Sequence, residues 1–80
     1  MARSKRVAVA AGVRGHLARW LQELSDVYGA VPGCPFPQQL ADLRAGRPVT
    51  VWGYELPESL RLPPMGRFTV HADGSIVEVP

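Results

Sequence analysis

The chain has 80 residues, 46% of them apolar and 20% charged, with a net charge of +2 and a single cysteine. That length makes one domain with one modest core, because a chain so short buries only about 60% of its unfolded surface. The composition excludes disordered and membrane-spanning classes, and lone Cys34 excludes an internal disulfide framework or a cysteine-based zinc site, so a reducing, cytoplasmic setting is expected.

The charge is unevenly spread. Residues 1–19 carry Arg3, Lys5, Arg6, Arg14 and Arg19 with no acid, whereas residues 20–80 carry four arginines against seven acids. An Arg-rich start is also found in presequences and secretory signals. Here the apolar stretch 7–13 is broken by Gly12 and followed by Arg14, and the helix beyond it runs on to Glu23 and Asp26. A single domain over 1–80 is therefore expected, with residues 1–12 as a basic flexible arm. Residues 5–11 fit either a short strand, since Val7 and Val9 alternate with small residues, or the first turns of a helix.

Between Val13 and Tyr28 the large apolar residues are Val13, Leu17, Trp20, Leu21, Leu24, Val27 and Tyr28. This spacing predicts an amphipathic helix with an apolar arc of about 120°. Gly29 stands where a left-handed residue closes a helix, and Pro32 prevents continuation. After an irregular connection, Pro37 marks the first turn of a short second helix with Leu40 and Leu43 on one side, ended by Gly46 and Pro48.

Residues 49–54 alternate, with Val49 and Val51 on one face and Thr50, Trp52 and Tyr54 on the other, which predicts a strand. Gly53 within it predicts a bulge or a close backbone approach. Pro57 allows one helical turn through Leu60, and Pro63-Pro64 forces an extended path. Residues 68–80 read as a hairpin turning at Asp73-Gly74, a favoured type I′ pair. That loop pairs Val70 with Val77 and Phe68 with Val79 on the core face and turns Thr69, His71, Ile76 and Glu78 the other way. The expected fold is α+β: one amphipathic helix plus a short helix packed on a three-stranded antiparallel sheet that ends in the C-terminal β-hairpin. Phe68, Val70, Val77 and Val79 are expected to meet Leu17, Trp20, Leu21 and Leu24.

Little in the chain points to chemistry. His16, His71 and Cys34 are the only soft metal ligands and no element brings them together, so neither a metal nor a cofactor is expected. Cys34 lies in Pro-Gly-Cys-Pro-Phe-Pro with no adjacent base and reads as a small filler. Glu55 and Glu58 are the candidate acid/base carboxylates, but Glu58 suits the first turn after Pro57. No Gly-rich loop follows a strand, so a nucleotide or other small-molecule substrate has no anchor. A non-enzymatic protein is expected, with no membrane role.

Two features rise above this background. The basic residues Arg3, Lys5, Arg6 and Arg14 could neutralise phosphates, giving salt-dependent nucleic-acid binding. Trp52 and Tyr54, beside polar residues on the second face of the sheet, have the composition of a protein-interface core. Leu56, Leu60, Leu62 and Met65 either fold back over those aromatics or form an exposed patch themselves.

The leading expectation is a small binding protein that acts by stoichiometric occupancy of a protein or nucleoprotein partner. In size and character it parallels the inhibitors of host machinery that phages and mobile elements encode, anti-CRISPR proteins among them. The alternative is a small DNA- or RNA-binding regulator using the basic N-terminus. In one form of it residues 5–9 make an intermolecular ribbon as in ribbon-helix-helix dimers, a plan that the Pro-rich and β half does not match. A subunit of a larger particle is a third possibility.

Overall fold

Helix α1 (Val13–Tyr28) forms where the apolar spacing places it, and its stripe decides how the rest is stacked. The computed structural model describes residues 5–80. Val13, Leu17 and Leu21 are fully buried, Trp20 and Leu24 are half-buried, and the stripe frays into solvent at Val27 and Tyr28. Gly29 does not take the expected left-handed conformation. It stays helical (φ −61°) and donates its N–H to Ser25 O, and the left-handed glycine lies further on, at Gly33 (φ +79°).

Helix α2 (Phe36–Arg44) packs along α1 and contributes Leu40 and Leu43 to the same core. Its end is a Schellman closure. Gly46 (φ +80°) donates to Leu43 O and Arg47 to Asp42 O, a geometry in which a side chain at position 46 would be strained. Asp42 returns the contact, accepting from Arg47 Nε at 2.9 Å and Gln38 Nε2 at 3.0 Å.

The sheet has four strands rather than three. Residues Lys5–Val9, which the sequence leaves between strand and helix, form β1; β2 is Val49–Trp52, β3 Arg67–Val70 and β4 Ser75–Glu78. All neighbours are antiparallel in the order β1-β4-β3-β2. The inner face offers Val49, Val51, Phe68, Val70 and Ile76 to Val13, Leu17 and Leu21 of α1 and to Leu40 and Leu43 of α2. Each such side chain contributes about 1.5–3 kcal/mol on leaving water.

The hairpin falls one residue away from its expected register. Phe68 pairs with Glu78, Thr69 with Val77 and Val70 with Ile76. Only Gly74 has positive φ (+87°), so Ala72, Asp73 and Gly74 make a three-residue loop rather than a type I′ pair. The loop is held from both sides: Asp73 Oδ1 accepts the Ser75 N–H at 2.9 Å, and the Gly74 carbonyl accepts the Ala10 N–H at 3.1 Å. Because the side-chain period is two, the shift exchanges the faces of β4. Ile76, the larger side chain, enters the core, while Val77 turns outward and Val79 is exposed.

Between β2 and β3 the chain crosses through short 3-10 turns at Gly53–Glu55 and Glu58–Leu60. Leu56 joins the core and Leu60 and Leu62 pack against it, so the crossing serves the inner layer, and among the described residues no element lies over the outer face of the sheet. Met65 is 74% exposed.

The register is tested by paired substitutions. Ile76→Ala should cost about 2–5 kcal/mol in urea denaturation as a core truncation, whereas Val77→Thr should cost about 0.5 kcal/mol or less; the opposite order would restore the two-residue loop. Acid titration checks the turns. The pKa of Asp42 lies below its usual 3.8 because of hydrogen bonds from Arg47 and then Gln38, and that of Asp73 because of the Ser75 backbone N–H and hydroxyl. Lowered folded-state values mean that this stability is present above the usual carboxylate range and is lost as pH falls through the folded values. Unfolding followed against pH should show a loss beginning below about pH 4, and Asp42→Asn should flatten it.

Candidate binding face on the open side of the sheet

The outer face follows from the alternation. In the middle row, Thr50, Thr69, Val77 and Arg6 stand side by side across β2, β3, β4 and β1, with the Thr50 and Thr69 hydroxyls bonded to each other at 3.1 Å. Next to it Trp52 lies opposite Arg67. The Arg67 guanidinium stands 4.5 Å from the centre of the Trp52 ring, a cation–π contact. Trp52 and Tyr54 are nearly parallel, at 14°, with ring centroids 6.4 Å apart. Arg67 and Tyr54 are exposed and Trp52 is half-buried.

These aromatics are mounted on a stiff corner. Gly53 leaves β2 so close to the return of the chain that a Cβ there would overlap the Pro63 carbonyl oxygen, which is the close approach the sequence predicts. The Gly53 and Tyr54 N–H groups donate to Gly66 O at 2.8 Å and Pro64 O at 3.1 Å. Glu55 fastens the corner from inside. It is 4% exposed, and its carboxylate accepts the Trp52 N–H at 2.7 Å and the Trp20 indole N–H at 3.4 Å. His16 Nε2 lies 3.1 Å from the Glu55 carbonyl oxygen, so two residues of α1 hold the turn that presents Tyr54. A cleft of about 240 Å³ opens beside Tyr54, between Pro57, Glu58, Leu62 and Pro64.

Of the residues singled out from sequence, Trp52 and Tyr54 come together, and Arg6 faces the same side from β1 at the opposite edge of the sheet. Lys5 pairs through its backbone with Glu78, one position out of phase with Arg6, and Arg3 lies outside the described residues. Arg14 is engaged elsewhere. It is half-buried and donates to Leu43 O at 2.7 Å, to Val70 O at 3.3 Å and to Arg47 O at 3.3 Å, tying α1 to the end of α2 and to the sheet. Arg67 and Thr50 complete the face and were not singled out. Their alternation with buried Phe68 and Val51 is the signal that places them outward, but the contact of Arg67 with Trp52 needs the β2–β3 register, which sequence does not provide.

Among the described residues no three His, Cys, Asp or Glu side chains gather as a metal site, and no helix is long and apolar enough to cross a membrane. Comparison with protein-family models, with curated proteins and with solved structures finds no match to this chain.

Arg14→Ala should orphan part-buried carbonyls and cost about 1–3 kcal/mol, measured by thermal or urea unfolding. A variant as stable as the parent would free Arg14 for a surface role.

Proposed function

We propose that the protein is a non-catalytic binding module that acts by stoichiometric occupancy of a protein or nucleoprotein partner through the open face of its sheet. The observation that carries this is the Arg67–Trp52–Tyr54 cluster, placed on an uncovered sheet face and held rigidly from beneath by Glu55. Trp, Tyr and Arg are the residues that dominate binding energy where partners meet, and a stiff mount lowers the entropy cost of using them. Glu55, a candidate for acid/base work, is instead spent on two hydrogen bonds inside the fold.

Inhibition of host machinery, in the manner of small phage-encoded proteins such as anti-CRISPR proteins, is one form that occupancy takes, and its support is the size and character of the chain. The alternative, a DNA- or RNA-binding regulator built on the N-terminal cations, is weakened by the commitment of Arg14 to backbone carbonyls, while Arg6 joins the same open face.

The tagged full chain, recovered from its native cell, should carry a defined macromolecular partner identifiable by mass spectrometry. The double variant Trp52→Ala/Tyr54→Ala should keep its far-UV circular dichroism and lose at least about thirtyfold in partner affinity, the size of a hot-spot loss of about 2 kcal/mol. Undiminished capture by the folded double variant would remove this face from the function.

A further inference from the structure

Along its strands the open face presents positive charge. The outward positions of the four strands include Arg6 and Arg67 and no carboxylate. Glu55 is buried, Asp73 is bonded to the Ser75 N–H, Glu78 is exposed at the end of β4 in register with Phe68, and exposed Glu58 borders the cleft beyond Tyr54, off the strands. Among the described residues the only ion pair is Arg47 with Asp42, so neither Arg6 nor Arg67 has a carboxylate in contact. The Arg67 guanidinium stands over the Trp52 indole, the Tyr54 ring is nearly parallel to that indole with centroids 6.4 Å apart, and Tyr54 is 56% exposed.

We infer that this face binds a segment of single-stranded nucleic acid, with a base stacked on the exposed ring of Tyr54 and phosphates neutralised by Arg67 and Arg6. The inference rests on the occupancy reading and specifies what occupies the face. Every base has a π-face that an aromatic ring accepts, whereas the bases of a duplex are stacked on one another and present only their edges. An acid-free pair of arginines suits a polyanion. The middle of the face is the Thr50–Thr69–Val77 row, with the two threonine hydroxyls bonded to each other. Three strand spacings put Arg6 about 14 Å from β2. That span exceeds one nucleotide and suits a short run of single strand.

The test is fluorescence anisotropy of a labelled oligothymidylate or oligouridylate of about ten nucleotides titrated with the full chain. Binding should saturate, and affinity should fall about sevenfold between about 50 and 200 mM salt, as expected for two phosphate contacts. Tyr54→Ala should weaken binding by about fivefold to a hundredfold, while Tyr54→Phe, which keeps the ring, should bind like the parent. Arg67→Gln should reduce the salt dependence. The inference is overturned by an absence of saturable binding, by equal affinity for a duplex or for a poly-glutamate peptide, or by a folded Tyr54→Ala that binds as the parent does. Oligonucleotides that fail to bind, alongside a Trp52→Ala/Tyr54→Ala chain that still loses its cellular partner, would overturn the nucleic-acid occupant and leave occupancy by a protein standing. If that double variant keeps its partner as well, both are overturned.

Discussion

One layer of helix covers one face of this sheet, and the described residues supply no second layer. Leu17 and Leu21 of α1, Leu40 and Leu43 of α2, and Val49, Val51, Phe68, Val70 and Ile76 of the strands form one buried cluster. These are the side chains whose removal from water holds the domain together. Everything on the opposite side of the strands must then tolerate solvent. Thr50, Thr69 and Arg67 do so readily, but an indole and a phenol ring placed there gain nothing from the core. Their position beside the Arg67 guanidinium is the feature on which the proposed binding role rests.

The polar groups closest to the interior serve the same one-sided plan. Arg14 gathers carbonyls from the end of α2 and from β3, and Glu55 gathers the Trp52 N–H and the Trp20 indole. Hydrogen bonds to charged groups are worth about 1.5–3 kcal/mol each, and leaving such partners unpaired costs a similar amount. Both residues therefore act as fasteners between helix and sheet. Glu55 links the fold to the face directly, since the backbone group it holds belongs to Trp52.

Much of the architecture was legible in the sequence because it follows local rules. The helix from Val13 to Tyr28 is written in its apolar spacing, the close approach at Gly53 in a glycine within a strand, and the end of α2 in Gly46. What was not legible depended on contacts distant in sequence. Asp73-Gly74 satisfies a two-residue turn taken alone, and beside the local Asp73–Ser75 bond it is the docking of Ala10 on Gly74 and the demand of the core for Ile76 that favour the three-residue loop. The strand at Lys5–Val9 required the free edge of β4 as a partner, which no local pattern announces. Trp52 and Tyr54 could be found by composition and alternation, but Arg67 becomes their neighbour only through the register of β2 on β3. Arg14 looked like surface charge because its carbonyl partners lie 29 and 56 residues away.

The direction in which β4 faces is the point on which the open surface stands, and cross-strand nuclear Overhauser contacts measure it. The account predicts that Thr69 and Arg6 both make cross-strand contacts with Val77 from opposite sides, placing all three on the uncovered face. Contacts that instead join Val70 to Val77 would turn that valine into the core, bring Ile76 outward, and contradict the surface described here.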